Sequence, residues 1–342
     1  MRAILLREHG GPEVLKVEEV PDPQAGPGQA VVRVRACALN HLDIWVRKGL
    51  PGAPFHLPTI SGADISGDIH ALGEGVSGWH VGDPVMVAPG VSCGACARCQ
   101  EGLDHLCSSY GILGETQNGG LAELVCVPAV NLFAKPARLS YADAASMSLS
   151  FLTAWHMLVG RAQLKRGESV LVHAGGSGVG SCAVQIAKYL GAQVITTAGS
   201  ESKLQLAKEL GADETINYRE EDFVKRVKAI TEKRGVDVVF EHVGGEVFER
   251  SLRCLAWAGR LVTCGATTGI DAKVNLRHLF FKSQSILGST MGSRREFQQL
   301  VSLFETGHFR SVIDRIIPME EIADAHRAIE AREVFGKVVI SP

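Results

Sequence analysis

Cys93, Cys96, Cys99 and Cys107 stand in the stretch GVSCGACARCQEGLDHLCSSYG, residues 90–111. Cys-x2-Cys-x2-Cys followed, after seven further residues, by a fourth cysteine is the spacing of a metal site. Four thiolates close a tetrahedral shell around zinc, and a closed shell has no open position for water or substrate. Such a metal folds a lobe too small and polar to have its own core, and does no Lewis-acid chemistry. Disulfides and free thiols are the competing readings. The chain has nine cysteines, an odd number, which favours thiols and metal over paired bridges. His105 is near enough in sequence to substitute as a ligand, although four cysteines need none.

A second chemical element lies in VLVHAGGSGVGSCAVQIAKYLGA. Gly175, Gly176, Ser177, Gly178, Val179 and Gly180 connect an apolar run to a helix-like one. Small residues there let the backbone approach a pyrophosphate, and the helix N-terminus supplies N–H groups and a positive dipole end. Ser177 takes the place of the middle glycine of the strict motif. An acid about 20 residues further on holds the ribose hydroxyls in NAD enzymes. Here the segment is QVITTAGSESKLQ, with no acid before Glu201. The absence of a carboxylate admits a 2′-phosphate. Ser200 and Lys203 are placed to bind it, with Tyr218 covering the adenine–phosphate end. NADP(H) is therefore expected over NAD(H). Lys203 also reads as an ordinary solvated helix residue.

These groups need a scaffold. The first third of the chain is strand-like and broken by Gly and Pro; in AVVRVRACAL, Val32, Val34 and Ala36 alternate with Arg33 and Arg35, the period of a half-buried strand. From SYAD onward the pattern changes. Ser140 with Asp143 is a capping-box variant that predicts a helix over the Ala144–Leu158 region. Strand and helix then alternate from SVLVHA to GRLVTCG, which predicts a parallel sheet covered by helices on both faces. IADAHRAIEAREVFGKVVI gives a further helix and a last strand. At 342 residues the chain is too long for one core, so two domains are expected.

The bulk properties exclude several classes. Charged residues make up 21% and the net charge is −2, so neither nucleic acid nor an anionic membrane is an expected partner. The uncharged stretch Ala144–Gly160 is interrupted by Ser146, Ser148, Ser150, Thr153 and His156 and reads as a buried or interfacial helix, not a membrane span. The opening MRAILLREHGG is charged at Arg2, Arg7 and Glu8 and lacks the apolar run of an export signal. A cytoplasmic location is expected.

With these residues in view, the chain resembles the medium-chain dehydrogenase/reductase family nearly end to end. The resemblance rests on EHGGPEVLKVEEVP, ALNHLDIWVRKG, GADISGDIHALGEGVSGWHVGDPV, the four-cysteine lobe, GGLAEL, GGSGVG and GRLVTCGATTG. It implies an α/β fold in which a GroES-like β-rich catalytic domain (1–150 and 288–342) is paired with a Rossmann doubly wound parallel-sheet domain (151–287). The cysteine spacing matches the family's structural zinc lobe, so one structural zinc per chain is implied. The family's zinc alcohol dehydrogenases carry a second, catalytic zinc. Its ligand positions fall here on Asn40, Ala63 and Leu149, and none of the three is a competent zinc ligand. Asp64 takes the place of the glutamate beside the usual histidine. His41 matches a position that contacts the cofactor pyrophosphate.

The resemblance thus points to the quinone oxidoreductase and enoyl-reductase side of the family, with the structural lobe kept. The expected reaction is hydride transfer from NADPH to a quinone or an α,β-unsaturated carbonyl. Asn40 is expected to donate to the carbonyl oxygen, and Asp64 or His41 to relay a proton unless solvent supplies it. Asn40 is also a common turn former. Thr153 matches the family threonine beside the nicotinamide, and Val243, Cys264, Gly265 and Ser289 would line the nicotinamide end. Two alternatives stand beside this: an alcohol dehydrogenase with an atypical metal site built from His41, Asp43, Asp64 and His156, and a non-catalytic nucleotide-binding relative. The substrate would be a small carbonyl or quinone, shaped by loops such as GLPGAPFHLPT and STMGSRREF, and the protein a homodimer or homotetramer.

Overall fold

The computed structural model describes residues 1–49 and 55–342; part of the expected pocket loop GLPGAPFHLPT lies outside the described residues. The chain divides into two compact units, Met1–Ser150 with Gly292–Pro342, and Phe151–Met291. The return to the first unit falls at Gly292, later than the 288 expected from sequence. The reason is that Ser285–Gly288 is itself a strand of the second unit's sheet.

In the first unit the strand Gln29–Ala38 is central. It pairs antiparallel with Asp64–Leu72, Leu124–Pro128 and Lys337–Ser341. Val32, Val34 and Ala36 are buried, while Arg33 and Arg35 face solvent, so the strand's period of two sets which side packs. Ile4, Leu6, Ile65, Val87, Leu121 and Val338 share its core. A second, three-stranded sheet joins Lys16–Glu19, Arg2–Leu6 and Thr59–Ile60. The last strand, Lys337–Ser341, is thereby brought beside Gln29–Ala38, which ends next to Asn40.

The second unit is a six-stranded parallel sheet in the order Glu214–Asn217, Gln193–Ala198, Ser169–Val172, Val236–Glu241, Leu255–Thr263, Ser285–Gly288. That order reverses next to its first strand, which is the doubly wound nucleotide-binding topology. Its two central strands, Ser169–Val172 and Val236–Glu241, are nearly continuously buried, as strands covered on both faces must be. The mixed α/β class, with a β-rich unit and a Rossmann-like unit, is as the sequence leads one to expect.

The expected capping box is present. Asp143 N–H donates to Ser140 Oγ at 3.1 Å and Ser140 N–H donates to Asp143 Oδ2 at 3.2 Å. The helix Tyr141–Trp155 follows, and a π-helical segment His156–Arg161 extends it. Among the described residues no helix is long and apolar enough to cross a membrane.

Candidate active site and metal centre

The cysteine lobe is built from turns and one short helix, Ala97–Gln100. The four Sγ atoms all lie within 4.8 Å of one another. Cys93 is 3.5 Å from Cys107 and 3.9 Å from Cys99, and Cys96 is 3.5 Å from Cys99. A tetrahedral zinc with bonds of about 2.3 Å needs sulfurs about 3.8 Å apart, so the donor set fits that ion in both chemistry and spacing. Two backbone N–H groups already serve the sulfurs: Cys96 N–H points to Cys93 Sγ and Ser109 N–H to Cys107 Sγ, each at 3.4 Å. N–H donors from Ala95 and Cys96 pull the Cys93 thiol down to about 6, while hydrogen bonding among the sulfurs and burial leave Cys96 raised to about 11, so of these two Cys93 is the readier thiolate. The lobe has little apolar interior, with Leu103 and Leu106 exposed.

No comparable donor set gathers around Asn40. Among the described residues the four cysteines are the one group of three or more His, Cys, Asp or Glu able to hold a metal. Ala63 is a buried methyl. Leu149 offers only its backbone N–H, which donates to Asp64 Oδ1 at 2.6 Å. In place of metal ligands there is a closed polar network. Asn40 Nδ2 donates to Asp64 Oδ2 at 2.9 Å. The Lys337 ammonium donates to Asn40 Oδ1 at 2.5 Å, to Asp64 Oδ2 at 2.8 Å and to Ser150 Oγ at 3.4 Å. Asp64 and Lys337 are both buried, so each needs the other as counter-ion. Asp43 stands behind them, accepting from Asn40 N–H at 2.7 Å and from Gly62 N–H at 2.9 Å. Burial pushes its carboxyl up to about 6 despite those donors.

His41 opens the helix His41–Lys48, half-buried and edge-on to the Trp45 ring at 5.2 Å. Burial, with Lys48 nearby, lowers its pKa and favours the neutral imidazole.

The glycine loop lies where a parallel sheet binds nucleotides, at the carboxyl end of its first strand. Ser177 caps the helix Gly178–Tyr189 by accepting from Gly180 N–H at 3.0 Å. The N–H groups of Gly178 and Val179 find no acceptor among the described residues. A Cβ at Gly175 would stand 2.2 Å from Thr196 Oγ1, and one at Gly180 would stand 2.2 Å from the Ala174 carbonyl. The two glycines are therefore required, and the open helix end fits a pyrophosphate. Gly176 sits between them in the same turn.

Ser200 precedes the helix Glu201–Glu209 without capping it by its side chain; its hydroxyl is 3.2 Å from Ser202 Oγ. Lys203 lies in that helix's first turn. Tyr218 follows the strand Glu214–Asn217 and reaches over Gly199, where a Cβ would come within 2.6 Å of its hydroxyl. Arg219, which sequence reasoning missed, is drawn to the same spot, with Nε 3.1 Å from that Cβ position.

At the other half of the sheet, Val243, Cys264 and Gly265 lie in the loops after the fourth and fifth strands. Glu241 ties these loops together. Its Oε1 accepts from Val243 N–H at 2.7 Å and Gly244 N–H at 2.8 Å, and its Oε2 accepts from Thr263 Oγ1 at 3.2 Å. Burial pushes the Cys264 thiol up to about 12, which marks it as a packing residue and not a nucleophile. Ser289 follows the sixth strand, and its buried hydroxyl has no partner among the described residues. Thr153 is buried beside Met291, 3.9 Å from Oγ1 to Sδ.

Glu241 and Lys337 also escaped the sequence reading. For Lys337 a signal existed: a lysine heads the otherwise apolar run VVIS of the final strand.

Comparison with known proteins agrees with this architecture. Residues 26–137 match the alcohol dehydrogenase GroES-like domain and residues 178–306 match the zinc-binding dehydrogenase domain. A quinone oxidoreductase of Mus musculus is 33% identical over 99% of this chain and 97% of its own length. An NAD-dependent alcohol dehydrogenase of Sulfolobus acidocaldarius is 33% identical over 99% of both. A crystal structure named as an NAD-dependent alcohol dehydrogenase superposes with a TM-score of 0.96 at 47% identity, covering all of both chains. With both domain types matched in order and relatives aligned end to end, the chain belongs to the medium-chain dehydrogenase/reductase superfamily and is an oxidoreductase.

Proposed function

We propose that the protein transfers hydride from NADPH to a quinone or an α,β-unsaturated carbonyl without a catalytic metal, and that its zinc is structural. One observation carries this reading: Asn40, Ala63 and Leu149 supply an amide, a methyl and a backbone N–H, and Asp64, paired with Lys337, takes the hydrogen bonds of the amide and the N–H. Conjugated electrophiles need less activation than a simple ketone, so orientation and hydrogen bonding suffice.

Bound NADPH would supply the hydride. The chain's own groups would hold and polarise. Gly178 and Val179 N–H groups would receive the pyrophosphate. Lys203, Arg219, Tyr218 and Ser200 would receive the 2′-phosphate, and no carboxylate at the end of Gln193–Ala198 opposes it. Glu241 would keep the loops of Val243 and Cys264–Gly265 in place, with Ser289 and Thr153 at the nicotinamide end. Asn40 would donate to the oxygen that gains charge. Asp64 is not a proton relay in this reading. Both of its oxygens accept N–H donors, one from an ammonium, and a proton on either would displace a donor. Solvent then protonates the enolate carbon. The protein would work in the cytoplasm as a homodimer or homotetramer.

A second reading, NAD-dependent oxidation of an alcohol, is favoured by the names of two similar proteins. Steady-state assays of zinc-replete protein separate the two. Oxidation of NADPH by an enone or quinone, at least about tenfold more efficient than with NADH, is expected, since one lost charged contact costs about that much. Alcohol oxidation with NAD that chelation abolishes without unfolding, together with inertness toward enones and quinones, would sink the proposal.

A further inference from the structure

Asn40 is clamped between two groups of opposite character. An ammonium only donates and a carboxylate only accepts. The amide atom facing Lys337 must therefore be Oδ1, and the one facing Asp64 must be Nδ2. The flip that is normally ambiguous for an asparagine is fixed here by chemistry. The ammonium has spent all three hydrogens, on Asn40, Asp64 and Ser150. Asp64 has no free oxygen. The amide alone keeps a hydrogen that is nearly unused: beyond its bond to Asp64, Nδ2 reaches only the Ala38 carbonyl, at 3.5 Å. Asn40 is also the least buried of the three, at 9% exposed against 4% for Lys337 and 0% for Asp64. A cation on the amide oxygen draws electron density from the nitrogen and strengthens its remaining N–H as a donor.

We propose that Lys337 is a positioning residue for the hydride acceptor: through Asn40 Oδ1 it orients and polarises the amide that donates to the acceptor's oxygen. The proposal rests on the reading of function given above.

The competing role is plain charge compensation of Asp64. Two variants separate them. Lys337→Met alone strands a buried carboxylate and is expected to lower the melting temperature. Lys337→Met with Asp64→Asn removes both charges and is expected to restore it. The chain has five asparagines, Asn40, Asn118, Asn131, Asn217 and Asn275, so asparagine-selective 15N labelling gives five side-chain NH2 pairs, and one more wherever Asp64→Asn is present. Asn40→Ser assigns the pair in question. In zinc-replete protein with NADP bound, the Asn40 pair should be protected from exchange; it should keep that protection in Asp64→Asn alone, which leaves Lys337 on Oδ1, and lose it in the double variant. Turnover with enone or quinone should fall about 10²-fold from Asp64→Asn alone to the double variant, the scale of losing one aimed donor. The KM for NADPH should not change. An Asn40 pair as well protected in the double variant as in Asp64→Asn alone, or a turnover that returns together with the melting temperature, overturns the positioning role. Wild-type protein inert toward every enone and quinone overturns the reading of function and with it the acceptor's part in this proposal. The amide pair still decides whether Lys337 holds Asn40.

Discussion

His173 sits at the root of the glycine loop, buried, and its ring joins two hydroxyls. Nε2 is 2.8 Å from Ser251 Oγ and Nδ1 is 3.3 Å from Thr197 Oγ1. Thr197 Oγ1 in turn accepts the Ala174 N–H at 3.1 Å, so the imidazole braces the turn that would receive the pyrophosphate. Burial, with His242 and Arg250 nearby, pushes its pKa down to about 3. His326 in the other unit is pushed down to about 3 by burial and Arg47. In the unfolded chain both titrate near the ordinary value of about 6.5, so the unfolded state takes up protons first as pH falls. The stability that comes from keeping them neutral is complete above about 6.5 and is lost progressively down to about 3. Between pH 7 and pH 5 each histidine should cost about 2 kcal/mol. Denaturant unfolding at the two pH values should show a drop smaller by about that amount in His173→Gln. An unchanged drop would mean that His173 is not neutral and buried in solution. Nothing local in VLVHAGG announces this role, because Thr197 and Ser251 are 24 and 78 residues away in sequence. The same separation hid Lys337, which is 297 residues from Asn40 and 273 from Asp64. The cysteine set and the glycine loop were legible for the opposite reason: all their parts lie within one short stretch each.

Elements were readable wherever a local signal governs them. The Ser140–Asp143 box starts its helix as its spacing requires, and Asp222 caps Phe223–Ile230 by accepting from Val224 and Lys225 N–H groups. Boundaries set by tertiary contact were not readable. Within EVFERSLRCLA the helix runs only from Gly245 to Ser251 and passes into a 3-10 turn, Leu252–Cys254. The chain must leave the helix there because Leu255 pairs with Val236 in the sheet. The cysteine lobe is the element whose order depends most on chemistry outside the backbone. It has one four-residue helix and no large apolar core, so bonds to a zinc held by the four sulfurs would supply its folding energy. Elemental analysis should find about one zinc per chain. Chelation, or Cys96→Ser, should abolish hydrogen-exchange protection across residues 93–107 and leave the strands of the parallel sheet protected. Protection that survives loss of the zinc would show that the lobe is held by packing.

At the scale of the whole molecule, the parallel sheet ends in an open edge among the described residues. Ser285–Gly288 is the last strand in the sheet order, so its outer edge of N–H and C=O groups is unpaired among the described residues. The surroundings are apolar: Trp257, Phe280 and Phe281 are 62%, 71% and 65% exposed, Ile286 on the strand is 36% exposed, and the Trp257 and Phe281 rings lie 5.4 Å apart. An exposed apolar edge strand is normally blunted by charge or covered. A second copy related by a two-fold axis covers it most simply, since the same edge then meets itself, its backbone groups pair, and the two six-stranded sheets become one. The homo-oligomer expected for this chain would use that edge. Light scattering should find a dimer, or a tetramer built from it. Ile286→Lys places a charge at the centre of the edge and should shift the mass toward the monomer at micromolar concentration. Nucleotide binding should persist, because the glycine loop belongs to the third strand of that sheet order and Ile286 to the sixth. A mass unchanged by Ile286→Lys would place the contact elsewhere, and loss of nucleotide binding along with the mass would mean that the substitution had disturbed the sheet itself.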